Sequence, residues 1–394
     1  MRPQSIIAIA MGAALCGFLP LHGATAATAA AEPAQGESST IDPRNQGILE
    51  RREVGVVLVE ATIDPRIQGI LEQELDKGLQ QYHAKGGCMI AVDPKTGNIL
   101  GMANRTETPG DGCFACQKIY EPGSTFKVVA ATAALDTGKM KIDTRVDCTP
   151  FAVGNAPHIT DGPANYGSLP LWGILAKSSN TGIARVALKC GWDSYKEYLH
   201  RYGLNMAMCN GGPCCNIPDG SNDVNLARMA HGQAVSVTPL HIAMVYAAIA
   251  NNGVRVTPRF INTAAPQEGT RVMSEQTAAD LRYALESVTQ AENPDGVGSG
   301  TATAAAVSGV RIGGKTGTAK KADEKGGYIE GAYIVSFAGI LPIDNPRMVI
   351  MTVIDEPHPT DCNPGGCSVA APIFRAAAER ILGRPATTTN AKQQ

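Results

Sequence analysis

The 394-residue chain has little of what would mark it as a nucleic-acid-binding, polytopic membrane or disordered protein. Its 34 Lys and Arg stand against 36 Asp and Glu, and a formal net charge of −2 leaves no electrostatic footprint for nucleic acid. Beyond the first residues no stretch approaches the ~20 consecutive apolar residues that a membrane span requires. Aromatic residues are only 5%, while glycines number 43, so loops and turns should be plentiful. Hydrophobic residues at 44% and charged residues at 18% are globular proportions. The length admits one large domain or two ordinary ones.

The start of the chain reads as an export signal. Arg2 supplies the positive charge, Ile6 to Leu19 the apolar run, and Ala24-Thr25-Ala26 a small-residue cleavage site. An uncleaved anchor is the alternative, and either places the remainder outside the cytoplasm. Cys16 leaves with the signal. The ten cysteines from Cys88 to Cys367 are an even count in an oxidising compartment, which reads as disulfides. Cys113-Phe114-Ala115-Cys116 and the group from Cys209 to Cys215 have a zinc-like look. Neither has a histidine or a second pair beside it at ligand spacing, so staples are the reading adopted.

Residues 29–61 form a linker in which Thr40 to Glu50 is repeated as Thr62 to Glu72. Nothing physical accounts for this duplication. The second copy predicts a helix capped by Asp64, opened by Pro65, with Ile67, Ile70, Leu71, Leu75 and Leu79 on one face. Strands follow at Cys88 to Val92 and Ile99 to Met102, joined by a turn at Asp93 to Gly97. Helices are expected from Ser124 to near Gly138, over Leu171 to Ala176, over Gly182 to Lys189, behind a Ser194–Glu197 capping box, and from Pro239 to Asn251. Val310 to Ala319, Ala332 to Leu341 and Met348 to Ile354 read as strands, and Ala370 to Leu382 as a last helix. Strands early, helices in the middle and strands late give an α+β domain with an inserted helical lobe. The cleft between lobe and sheet is the natural place for a site.

Three motifs carry the chemistry: Ser124-Thr125-Phe126-Lys127, Ser178-Ser179-Asn180 and Lys315-Thr316-Gly317-Thr318. Ser124 and Lys127 are three residues apart and face the same way on a helix. A serine hydroxyl needs an adjacent base, and lysine serves only when burial or a second cation keeps it neutral. Alone, such a pair arises by chance about once in a chain of this length. Alone, helix capping explains Ser178 and Asn180. A strand would set Thr316 and Thr318 on one side, with two hydroxyls beside the ammonium of Lys315 or Lys320 to hold a carboxylate. The same triplet at Lys95-Thr96-Gly97 lies in a turn before the serine and reads as a solvated hairpin tip. Order and context make the trio far more specific than its parts, and it marks penicillin-binding proteins and serine β-lactamases.

From Thr62 to about Leu382 the chain resembles the transpeptidase domain of class B penicillin-binding proteins. Ala91-Val92-Asp93-Pro94, Glu121-Pro122-Gly123-Ser124, Val235-Ser236-Val237-Thr238-Pro239 and Ser336-Phe337-Ala338-Gly339 are further shared phrases. The resemblance implies a five-stranded antiparallel sheet flanked by helices, with an all-helical lobe inserted. It divides the chain into a signal peptide or anchor (1–28), the linker (29–61), the transpeptidase domain (62–383) and a tail (384–394). It implies that Ser124 is acylated by D-Ala-D-Ala stem peptides, or by β-lactams, and that a cross-link follows. Lys127 would be the base, Ser178 the proton relay and Asn180 the group that orients Lys127. Lys315, Thr316, Gly317 and Thr318 would hold the terminal carboxylate, and the backbone N–H groups of Ser124 and Thr318 would form the oxyanion hole. No metal or organic cofactor enters that chemistry. A cell-wall synthesis complex is the implied partner, and the periplasm or cell envelope the place.

Two features depart from the family pattern. The stretch between the signal and Thr62 is short for a class B enzyme, so a catalytic unit alone is expected. The cysteines are dense, and a Cys113–Cys116 disulfide is expected to brace the rim of the site. Rival readings use the same groups: a D,D-carboxypeptidase with water as acceptor, or a class D β-lactamase, which carries an apolar residue where Asn180 stands. A β-lactam sensor or peptidoglycan-binding scaffold is the non-enzyme rival, yet no motif residue is missing.

Overall fold

The computed structural model describes residues 61–107, 112–209, 212, 215–262, 268–323 and 327–385. The expected signal, nearly all of the linker with its first repeat copy, and residues 386–394 lie outside these.

Local chemistry sets the first helix, α1 (Pro65–Gln81). The Asp64 carboxylate accepts from the N–H groups of Arg66 and Ile67, and Pro65 occupies a first-turn position where its missing N–H costs nothing. Ile67, Ile70, Leu71 and Leu75 are buried as their spacing predicts, and Leu79 is half-buried.

Five strands build one sheet: β1 (Gly86–Val92), β2 (Ile99–Arg105), β3 (Gly313–Ala322), β4 (Tyr328–Leu341) and β5 (Met348–Asp355). Their order is β2-β1-β5-β4-β3, with every neighbouring pair antiparallel. The third strand starts three residues later than its composition predicts, because Val310 is taken by a small bridge to Val307.

Between β2 and β3 run the helices of the lobe: α2 (Lys127–Asp136), α3 (Leu171–Lys177), α4 (Asn180–Cys190), α5 (Trp192–Arg201), α6 (Asp223–Ala230), α7 (Pro239–Ala250) and α8 (Glu275–Ser287). The chain closes on α9 (Ala371–Ile381). The capping box expected at Ser194 and Glu197 does not form. Gly191, at φ +76°, opens α5 three residues earlier, and the Ser194 hydroxyl inside the helix accepts from Lys139 Nζ at 3.0 Å.

Side chains on the central strands alternate between two cores. Met89, Ala91, Ile350 and Ile354 face α1 and α9, whereas Ile90, Val92, Val349, Met351 and Val353 face the lobe and α7. Coverage on both faces explains why these strands read as continuous apolar runs. Burying each large side chain contributes about 1.5–3 kcal/mol. The α+β architecture with a five-stranded antiparallel sheet is as expected.

The disulfides are not. Among the described residues Cys88, Cys116, Cys148, Cys190, Cys209, Cys362 and Cys367 are thiols. The expected Cys113–Cys116 staple is absent. Cys113 caps a one-turn helix, Phe114–Gln117, that contains Cys116, and the two sulfurs lie 3.7 and 3.9 Å from Met102 Sδ.

Candidate active site

Gly123–Phe126 forms a 3₁₀ turn that runs straight into α2. Ser124 and Lys127 therefore straddle a helix junction instead of sharing one regular α-turn. Ser124 is half-buried and Lys127 is fully buried. The turn leans on β3, the sheet's edge strand, so closely that a Cβ on Gly317 would lie 2.8 Å from the Pro122 carbonyl oxygen. A Cβ on Gly123 would lie 2.9 Å from the Thr318 carbonyl oxygen. These two glycines permit the approach that sets the Ser124 backbone beside that of Thr318.

The second motif is a break between helices. α3 ends at Ser178, which adopts the left-handed conformation (φ 57°, ψ 35°). Ser179, not its neighbours, caps α4 by accepting from the Gly182 N–H at 2.9 Å. Capping by the middle residue leaves both flanking residues for Lys127. Lys127 Nζ donates to the Ser178 carbonyl oxygen (2.5 Å), Asn180 Oδ1 (2.7 Å) and Ser178 Oγ (3.1 Å). Burial, reinforced by the Lys315 charge, holds the Lys127 amine well below the usual lysine range, with Asp161 pulling the other way.

Lys315 is also fully buried, its Nζ 3.3 Å from the Thr316 carbonyl oxygen and 3.4 Å from Thr316 Oγ1. Burial pushes its pKa down to about 7. Thr316 Oγ1 lies 3.5 Å from Thr301 Oγ1. Thr318 is exposed, and its hydroxyl accepts from the Gly366 N–H at 3.1 Å. Lys320 is exposed, so Lys315 is the cation set beside Thr316. Lys95 and Thr96 of the duplicate triplet are exposed at the tip of the β1–β2 hairpin.

Sequence reasoning missed Asp161. Its carboxylate accepts from Ser179 Oγ (2.7 Å), Asn180 N (2.5 Å), Thr181 N (3.2 Å) and Thr181 Oγ1 (2.7 Å), tying the second motif to the loop at 160–167. No periodicity surrounds Asp161, so nothing in its neighbourhood singles it out. His231, buried and held near a pKa of about 3 by burial and then by the Lys127 charge, was missed for the same reason. The arrangement can keep one amine unprotonated beside a hydroxyl-bearing turn, with a second amine on the facing strand.

Comparison with known proteins follows that geometry. Residues 87–379 match the penicillin binding protein transpeptidase domain. The probable peptidoglycan D,D-transpeptidase PenA of Neisseria meningitidis is 31% identical over 380 residues, covering 92% of this chain and 62% of PenA. The chain thus spans about three-fifths of that relative's length. The transpeptidase domain of Burkholderia pseudomallei penicillin-binding protein 3 superposes with a TM-score of 0.74 at 31% identity, over 82% of this chain and 95% of that one. A Mycobacterium tuberculosis penicillin-binding protein 3, solved in complex with aztreonam, gives 0.74 at 31% identity, over 82% and 78%.

Proposed function

The chain belongs to the penicillin-binding protein transpeptidase family, and from that premise we propose that it is a serine-type peptidoglycan D,D-transpeptidase. The observation that carries the reading is the buried Lys127 amine, hydrogen-bonded to Ser178 and Asn180, its affinity for a proton lowered by burial and by Lys315. A neutral amine one turn from Ser124 is what a hydroxyl nucleophile needs.

In this mechanism Lys127 takes the Ser124 proton as Oγ attacks the penultimate D-Ala carbonyl of a stem peptide. The backbone N–H groups of Ser124 and Thr318 receive the oxyanion, each contributing about 3 kcal/mol. Ser178 passes the proton to the departing D-Ala amine. Lys315, Thr316 and Thr318 hold the terminal carboxylate, and the close packing at Gly317 keeps β3 against the serine turn. An amine from a neighbouring strand then takes the acyl group, and β-lactams trap the same serine. The active unit is residues 62–383, exported to the periplasm or cell envelope behind the signal at 1–28, where a cell-wall synthesis complex is its partner. Among the described residues no helix is long and apolar enough to cross a membrane.

Fluorescent penicillin tests the reading. A covalent band is expected for the parent chain and none for Ser124→Ala of equal stability; a band of equal strength in the variant would refute it. A D-Ala-D-Ala peptide, supplied with and without an acceptor amine, then separates cross-linking from trimming.

A further inference from the structure

Ala234 stands at φ +59°, in the left-handed region that residues other than glycine rarely adopt. Backbone held there persists only where its surroundings over-determine it. The surrounding group is Glu121, whose Oε1 accepts from the Ala234 N–H at 2.7 Å. The ties on either side are backbone ones. Tyr120 and Val237 exchange N–H···O bonds of 3.0 Å, and the Gly123 N–H donates to the Gly232 carbonyl oxygen at 3.1 Å. Between them Pro122 has no N–H to give, and a carboxylate side chain makes the connection instead.

The same carboxylate reaches the sheet. Tyr328, the first residue of β4, donates its hydroxyl to Glu121 Oε2 at 3.0 Å and Oε1 at 3.2 Å. Tyr328 is 42% exposed and its neighbour Ile329 41%, so burial does not hold the ring in place. The contact with Glu121 does. Tyr328 pairs with Ala322, the last residue of β3, past a register shift that follows Lys320.

We propose that Glu121 is a positioning residue for acylation: together with Tyr328 it sets the angle at which the serine turn meets β3. The inference rests on the transpeptidase reading. The turn already approaches β3 at Gly317, where an added Cβ would lie 2.8 Å from the Pro122 carbonyl oxygen. One such contact leaves a pivot. The Glu121–Tyr328 pair adds a second point beside Ala322, about 13 Å farther along the strand from Thr318. Two points fix a direction. That direction matters because the N–H groups of Ser124 and Thr318 have to converge on one oxygen, and small misplacements at a reacting centre cost rate. An exposed hydrogen bond contributes little to folding, so its loss should be read in the chemistry and not in the stability.

Stopped-flow acylation by a fluorescent penicillin gives the limiting rate and the dissociation constant of the non-covalent complex separately. Tyr328→Phe removes one surface hydroxyl. The limiting rate should fall about tenfold, while the dissociation constant stays within about twofold and the unfolding midpoint within about 2 °C. Glu121→Ala should lose about 10²-fold, and Glu121→Gln, which keeps an oxygen for both donors, should recover to within about threefold of the parent. Glu121→Ala combined with Tyr328→Phe should be no slower than Glu121→Ala, because both changes break one tie. A parental limiting rate in Tyr328→Phe, or losses that multiply in the double variant, would overturn the proposal. If Glu121→Ala does not fold, Tyr328→Phe alone decides. A parent chain that takes no penicillin ends the transpeptidase reading and this one together; a reactive parent with an unaffected Tyr328→Phe ends this one only.

Discussion

Lys127 Nζ lies 2.7 Å from Asn180 Oδ1, a contact that ties the first residue of α2 to the first residue of α4. Asn180 offers the amine an acceptor but no charge, so it orients the group without raising its affinity for protons as a carboxylate would. Replacing Asn180 with Ala should slow penicillin acylation by about 10²-fold, within the range of a misplaced general base. Stopped-flow acylation checks this, and an unchanged rate would remove Asn180 from the machinery.

Asp161 should matter without touching substrate. It accepts four hydrogen bonds around the start of α4, including the backbone N–H of Asn180. Asp161→Ala leaves those donors to find water and should cost about 1–3 kcal/mol in denaturant unfolding. Acylation should slow as well, and Asp161→Asn should recover part of both losses. Loss of stability with full acylation would show a purely structural tie.

Lys315 makes a pH-dependent prediction. Its folded pKa, about 7, is far below the value of about 10.4 for a free lysine. As pH falls from about 10 to 7 the unfolded chain takes up a proton that the buried amine refuses, so stability drops across that window and levels off below it. Lys315→Met removes this penalty. The variant should gain on the order of 1–3 kcal/mol over the parent at pH 7 and much less at pH 10, while losing acylation. Urea unfolding at the two pH values is the measurement, and an equal difference at both would contradict the linkage.

Gly317→Ala tests the seam between β3 and the serine turn. The added methyl would meet the Pro122 carbonyl oxygen at 2.8 Å and Ser336 Oγ at 2.4 Å. The hydroxyl can rotate away but the carbonyl cannot, so strand and turn must part by several tenths of an ångström. Acylation should fall at least about tenfold, as small misplacements at reacting centres do. Near-parental acylation with unchanged stability would mean the seam is looser than drawn.

The fold was legible where periodicity and punctuation agree. Asp64-Pro65 and Thr238-Pro239 open their helices where expected, and the apolar runs around Ile90 and Ile350 are the strands they appear to be. The α5 boundary was misread because Gly191, through its positive φ, outcompetes a Ser–Glu pair that fits a capping box on paper. In the site, the motifs named Lys127, Ser178, Asn180 and Lys315. They could not reveal that Ser179 does the capping, or that Asp161 joins the cluster from a loop with no pattern of its own.

The place of β5 in the sheet has a consequence for the order in which the protein becomes competent. Among the described residues β5 is the last strand in the chain, yet it lies between β1 and β4 and pairs with both. Until residues 348–355 are in place, β1 and β4 have no common partner in the sheet. The serine turn therefore rests on the edge of a sheet whose two halves are joined only through one late strand.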